Sequence, residues 1–213
     1  MPTEVEAKFL AESTEPLDAL AARPRLGRAL LGTPRTVDET DRYLDTADGR
    51  LEAARWACRL RTRDGATRIS LKGPPGEGTG GWYHRRPEVE GAATAMIDPD
   101  GWPDSPALDL LATLREGRPL VERLQLRQQR TERRVSLEDG ASIGTLTLDR
   151  VRMSAHGTDL GELFVVELEL DASSPSAESE LDGLARELVA IGGLLPEPRS
   201  KLEHAIERLD DRR

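Results

Sequence analysis

The chain of 213 residues has one cysteine, Cys58, so neither a disulfide framework nor a thiolate metal site is available to it. Aromatic residues make up only 3% of it. Trp56, Trp82 and Trp102 therefore read as wall or loop packing rather than a base-stacking platform. No apolar run reaches the length of a membrane span, and the N-terminus enters strand-like sequence at once without a signal peptide. A cytoplasmic protein with no membrane partner is the default expectation. Basic charge is also short. The formal net charge is −9 and the pI about 5.0. Sequence-independent nucleic-acid binding needs a basic surface, so no nucleic-acid partner is expected. A small anionic ligand stays open, because a local arginine cluster or a bound cation overrides the global sign. The glycine-rich stretch 73–81 lacks the Gly-Lys-Ser/Thr ending of a phosphate-cradling loop.

What the chain does have is alternation. Charged residues are 32% and hydrophobic residues 37%, a thin apolar supply for this length, which a partly polar interior would reconcile. In the first strand, Glu4, Glu6 and Lys8 share one face and Val5, Ala7 and Phe9 the other. The pattern returns late, with Glu167 and Glu169 on one face and Val166, Leu168 and Leu170 on the other. Between them, Arg59 and Arg61 oppose Cys58 and Leu60. Arg68, Ser70 and Lys72 oppose Ile69 and Leu71. His84, Arg86, Glu88 and Glu90 oppose Val89, and Thr145, Thr147 and Asp149 oppose Leu146 and Leu148. A charged face on an antiparallel sheet is ordinarily the solvated side. Here the faces are rich in Arg and doubled Glu, and the signs segregate by strand, acidic at both ends and basic in the middle. About eight such strands with a few helices predict an α+β fold, a closed antiparallel β-barrel whose polar faces turn inward and whose apolar faces pack against helices outside. One domain over residues 1–213 is expected.

Residues 16–31 read as one or two short helices broken near Pro24. Helices are expected near 107–115, from Ser173-Ser174-Pro175 to about Ile191, and over 201–209 with Ser200 as cap. In 119–138 the apolar residues change phase, from Leu124 and Leu126 to Val135 and Leu137. The simplest reading is a β-bulge near 127–130, which leaves both Arg127 and Arg130 as candidates for the polar face. Cys58 reads as packing, His84 is not given a catalytic role, and Tyr43 and Asp45 read as strand-end structure.

Paired carboxylates on two strands suit Mg²⁺ or Mn²⁺, which prefer hard oxygen ligands, and a surface joining them to many cations suits a polyphosphate. In order, the chain presents Glu4-x-Glu6-x-Lys8; Tyr43-Leu44-Asp45-Thr46; Arg59-Leu60-Arg61; Leu71-Lys72-Gly73-Pro74; Arg86-Pro87-Glu88-Val89-Glu90; Arg127 and Arg130; Asp149; Glu167-Leu168-Glu169; and Ser200-Lys201. This series resembles the CYTH domain, or triphosphate tunnel metalloenzymes, in a stand-alone form. The resemblance implies an eight-stranded antiparallel tunnel with helices outside, and a cytoplasmic hydrolase that removes the terminal phosphate of a triphosphate with Mg²⁺ or Mn²⁺. It implies metal contacts from Glu4, Glu6, Glu88, Glu90, Asp149, Glu167 and Glu169. Substrate contacts would come from Lys8, Arg59, Arg61, Lys72, Arg86, Arg127, Arg130 and Lys201, with Glu4, Glu6, Lys8, Glu90 and Asp149 as catalytic candidates. Glu88 and Glu90 both fit one motif position. Water would attack the end phosphorus in line while a carboxylate takes its proton. Inorganic triphosphate is the simplest substrate. Class IV adenylate cyclase, thiamine triphosphatase and a non-catalytic polyphosphate- or nucleotide-binding module are the alternatives, in a monomer or homodimer.

Overall fold

The computed structural model describes residues 3–76, 82–171 and 177–212. Its strands are β1 (Thr3–Ala11), β2 (Arg25–Leu26), β3 (Ala29–Leu31), β4 (Arg35–Thr46), β5 (Ala57–Arg63), β6 (Ala66–Lys72), β7 (Tyr83–Ala93), β8 (Leu120–Ser136), β9 (Ser142–Ala155), β10 (Thr158–Leu170) and β11 (Leu194–Pro196). Its helices are α1 (Glu15–Ala22), α2 (Arg50–Ala53), α3 (Pro106–Arg115), α4 (Ala177–Ala190) and α5 (Lys201–Asp210). Eight strands pair in the order β8-β4-β5-β6-β7-β1-β10-β9, and β9 returns to β8. The antiparallel sheet is thus a closed barrel, which removes the edges an open sheet would expose. The β2–β3 hairpin continues the sheet beside β8, and β11 pairs with the end of β1.

Strand parity decides where each row of side chains goes. Ala7, Phe9, Leu146, Leu148, Val166 and Leu168 point outward and pack with leucines of α1 and α4. Leu60, Ile69, Leu71 and Cys58 point outward under α2 and α3. Cys58 is buried there, and burial pushes its thiol up to about 12, so it is an inert packing residue. A third apolar cluster lies inside the barrel. Leu124 and Leu126 share the parity of Gln128 and Arg130; Val151 and Met153 share that of Thr147 and Asp149; Leu163 and Val165 share that of Glu167. These residues pack together with Ala205 of α5 across the lower end.

This inner cluster corrects the expected bulge. The β4–β8 ladder runs unbroken from Arg35↔Glu132 to Tyr43↔Leu124, and its irregularity falls at Tyr43/Leu44, beyond residues 127–130. The β8–β9 ladder is likewise regular from Gln125↔Ser154 to Val135↔Gly144. The apolar phase changes because the lumen turns from polar to apolar along its axis, while the strand keeps its register. A second correction concerns residues 25–31, which form the β2–β3 hairpin instead of helix. Gly27, at φ +53°, supplies the left-handed turn that a helix would not accept. Arg133, buried on the outer face, donates to the carbonyls of Leu20, Ala21, Arg23, Leu31 and Gly32 and ties the hairpin and the end of α1 to β8. The expected start of the fourth helix at Ser173-Ser174-Pro175 lies outside the described residues. Ser105 and Ser200 cap α3 and α5.

Candidate functional site

The upper half of the lumen is a polar chamber of about 180 Å³. Its acidic wall comes from two neighbouring strands. β1 turns Glu4, Glu6 and Lys8 inward, and β10 turns Glu167 and Glu169 inward, with Glu6 opposite Glu169 and Lys8 opposite Glu167. Lys8 Nζ is 2.9 Å from Glu6 Oε1 and 3.7 Å from Glu167 Oε1. β9 approaches β10 closely at Gly144, where a Cβ would collide with the Glu169 carbonyl oxygen. A side chain there would push β9 away from the rung that carries Glu169.

The basic wall faces it. Lys72 of β6 places Nζ 2.6 Å from each Glu4 carboxylate oxygen and 3.5 Å from Glu88 Oε2. Arg59 of β5 lies 3.5 Å from Glu88 Oε1 and 3.6 Å from Asp41 Oδ2. Ser70 donates to Glu88. Arg61 holds Asp41 through two bonds of 2.7 Å, and the Gln128 amide adds a third at 2.7 Å. Arg130 of β8 grips Asp149 at 2.8 and 2.6 Å and reaches Glu167 at 3.2 Å. The last contribution comes from α5. The Ser200 hydroxyl accepts from the Glu203 N–H while the Glu203 carboxylate accepts from the Ser200 N–H, which fixes the first turn of the helix. Lys201, its first residue, is thereby aimed inward, 2.6 Å from Asp149 Oδ2 and 2.9 Å from Glu167 Oε2.

The charge states follow from these contacts. Burial opposes ionisation of Asp41, but Arg59 and Arg61 hold its carboxyl far below the usual range. Burial likewise opposes ionisation of Glu167 and Asp149. Lys201 and Lys8 outweigh it at Glu167, and Arg130 and Lys201 outweigh it at Asp149, so both are held low. Glu6 is held low mainly by Lys8, which is itself held above its ordinary value by Glu6 and Glu167. Glu4 goes the other way. Burial and the neighbouring Glu6 raise it, despite Lys72. Glu169 is raised to about 7 by its crowded setting and by Glu4 and Glu6. Its side chain still reaches water at the chamber mouth, so carboxylate repulsion is the cause to weigh most.

Among the described residues, no three carboxylate, imidazole or thiol groups are already gathered as a metal cage. Glu4, Glu6, Glu88 and Glu167 each lean on a cation, whereas Glu169 has no ion-pair partner among the described residues. The donor set nevertheless fits a hard divalent cation. It offers oxygen ligands only, and the repulsion at Glu4, Glu6 and Glu169 is what such a cation relieves.

The structure brings together at this chamber Glu4, Glu6, Lys8, Arg59, Arg61, Lys72, Arg86, Glu88, Arg130, Glu167, Glu169 and Lys201. Glu90 reaches only its mouth, largely exposed and paired with Arg68 at 3.3 Å, while Glu88 lies within. Asp149 is fully buried behind Arg130 and Lys201, both of which donate to it. Arg127 is not brought in. It is exposed on the outer face and bonds Gln125 at 3.1 Å, because the unbroken register gives the inward position to Arg130. The sequence reading missed Glu39 and Asp41 of β4, both buried against the arginines of β5. His84 is buried with Nε2 2.7 Å from the Glu197 carbonyl, consistent with a structural place.

No helix of the described residues is long and apolar enough to cross a membrane. No curated protein matches the chain significantly. Among solved structures, an adenylyl cyclase of Hippeastrum described as having a dominant triphosphatase activity superposes with a TM-score of 0.68 at 18% identity, covering 96% of this chain and 95% of that one. The PH1819 protein of Pyrococcus horikoshii gives 0.59 at 22% identity, covering 96% and 99% of the two chains. An adenylate cyclase homologue of Bacillus halodurans gives 0.59 at 21%, covering 95% and 98%. At these identities the likeness speaks for the fold. The sequence profile of the CYTH domain matches residues 2–206, nearly the whole chain. The chain therefore belongs to the CYTH family.

Proposed function

We propose that this protein hydrolyses the terminal phosphoanhydride of a triphosphate, inorganic triphosphate foremost, with Mg²⁺ or Mn²⁺. The observation that carries the reading is the facing of two oppositely charged walls across one small chamber: Glu4, Glu6, Glu167 and Glu169 on one side, Arg59 and Lys72 on the other. At neutral pH a triphosphate brings about four to five negative charges, which the cations Lys8, Arg59, Lys72, Arg86, Arg130 and Lys201 would share. Arginine's planar fork grips two phosphate oxygens at once. Ligand binding is then an exchange of partners. Lys72 would leave Glu4, Lys8 and Lys201 would loosen from Glu6 and Glu167, and the released carboxylates are the residues that would hold the divalent cation. When bound, that cation would neutralise phosphate oxygens and lower the cost of charge building up on the transferring phosphoryl group. The protein's part is to hold the chain of phosphates in line, to stabilise the departing diphosphate with lysine and arginine, and to accept the water's proton. Glu169 is suited to that last task, being accessible to water and without a cation partner among the described residues.

A phosphate-release panel tests the proposal, with inorganic triphosphate, ATP, GTP and thiamine triphosphate, each with Mg²⁺ or Mn²⁺. Fast release of one phosphate from inorganic triphosphate is expected. Binding without release under every condition would leave a binding module, and cyclic AMP with intact pyrophosphate from ATP would leave a cyclase.

One observation favours organic triphosphates as additional substrates. A second cavity of about 950 Å³ opens beside the chamber, sharing Tyr43, Lys72, Arg86 and Ser200 with it. Its walls include Trp56 and, from α5, Leu202 and Ile206, an apolar surface that a base or a thiamine ring would cover. Trp56→Ala should then weaken the organic substrates and spare inorganic triphosphate. Equal effects on both would remove this second reading.

A further inference from the structure

Buried polar atoms normally have partners, and the exceptions mark places where something is missing. Among the described residues, five unpartnered buried side-chain atoms belong to residues on the inward faces: Glu39 Oε2, Arg59 Nε, His84 Nδ1, Gln128 Oε1 and Thr147 Oγ1. Four of them belong to groups already engaged. Glu39 Oε2 sits 3.2 Å from Arg61 Nε, Arg59 lies between Asp41 and Glu88, the His84 ring bonds the Glu197 carbonyl through Nε2, and the Gln128 amide donates to Asp41. Thr147 is different, because its hydroxyl is its whole polar inventory. The residue is 5% exposed and lines the chamber.

Its neighbours explain why the hydroxyl is idle. In the sheet Thr147 faces Glu167 on β10 and Glu132 on β8. Either carboxylate would be a natural acceptor, but Glu167 is taken by Lys8, Arg130 and Lys201, and Glu132 by Arg63. Other threonines of this barrel solve the same problem by pairing, Thr36 with Thr131 at 2.9 Å and Thr62 with Thr67 at 3.0 Å. An idle buried hydroxyl has given up water without a replacement, so stability alone would favour valine, which has the same shape. Arg130, bound to the same Glu167, adds positive charge close by.

We propose that Thr147 is a substrate-contacting residue, donating its hydroxyl hydrogen to a phosphate oxygen of the polyphosphate held in the chamber. This rests on the reading of the chamber as a triphosphate site. It gives β9, whose inward carboxylate Asp149 is consumed by Arg130 and Lys201, a direct contact with the ligand.

The test compares wild type, Thr147→Val and Thr147→Ser. Unfolding is measured without ligand, and binding of inorganic tripolyphosphate is measured by calorimetry with EDTA present, so that no turnover intrudes. Thr147→Val should be as stable as wild type or more stable, yet bind tripolyphosphate roughly tenfold more weakly, the size of one hydrogen bond to a charged group. Thr147→Ser should bind within about twofold of wild type, because it keeps the donor. Equal binding by wild type and Thr147→Val overturns the proposal while leaving the chamber's role intact. Failure of Thr147→Val to fold also overturns it, since the hydroxyl would then carry a structural load. Wild type that binds no tripolyphosphate, either in EDTA or with Mg²⁺ present, overturns the chamber reading and this one with it.

Discussion

The two halves of the barrel interior are built by the same strands in one unbroken parity, yet they differ in nearly everything else. In the upper half β8, β9 and β10 present Arg130, Asp149 and Glu167. In the lower half the same three strands present Leu126, Val151 and Val165. The lower half is a core by ordinary rules, packed against α5. The upper half is a set of opposed charges that would be a poor core, because each ion has given up water for a partner that repays it only in part. Stability is supplied below and by the outer clusters, and the chamber is left free to be chemically specific. Glu4, pushed toward the neutral form by burial and by Glu6, and Glu169, pushed the same way chiefly by its fellow carboxylates, are the places where the chamber works against stability.

Three substitutions probe that division. Glu169→Gln should show the largest effect. Phosphate release should fall by roughly a thousandfold, while the ligand-free melting temperature holds or rises because a repelling charge is gone. A matching drop in melting temperature would mean that the upper half is structural after all. Asp41→Asn should cost about 3–5 kcal/mol at neutral pH, since it leaves Arg59 and Arg61 short of a buried counter-charge. The sign of its pH dependence is fixed. A carboxyl held below its ordinary value of 3.8 stabilises the fold above that pH, and the stabilisation is lost as the pH falls further. The gap between wild type and Asp41→Asn should therefore close on acidification below 3.8. A gap that stays constant in denaturant melts would show that charge is not what Asp41 contributes. Leu126→Ala should cost about 2–5 kcal/mol in the same melts, with turnover per folded molecule unchanged. A selective loss of turnover would join the two halves into one functional unit.

Much of this was legible in the sequence. The alternation around Glu4, Glu6, Arg59, Arg61, Lys72, Glu167 and Glu169 fixes which face each residue occupies, and the segregation of sign by strand argues for gathering them in a lumen. The failures have a common origin. Reading polar as inward everywhere made Leu124 and Leu126 look like outward residues and called for a bulge near 127–130, where both ladders of β8 run unbroken. Arg127 was included on that account. Glu39 and Asp41 were invisible because β4 is polar on both faces, with Thr36, Asp38, Thr40 and Arg42 alternating against them, so period-two reasoning has no contrast to work on. The β2–β3 hairpin escaped notice because its strands are two and three residues long, too short for any period to register. Its pairing with β8 is a contact across more than a hundred residues, which no local pattern announces.

The position of β1 has a temporal consequence. It is held between β7 and β10, neither of them its neighbour in sequence, so its two glutamates meet those of β10 only when segments far apart along the chain have found each other. Such distant pairings form slowly. A chain that has completed its hairpins but has not joined β1 to β10 would show most of its β-structure and have no acidic wall at all, which makes the assembly of that wall a sharper clock for the closing of this ring than any measure of strand content.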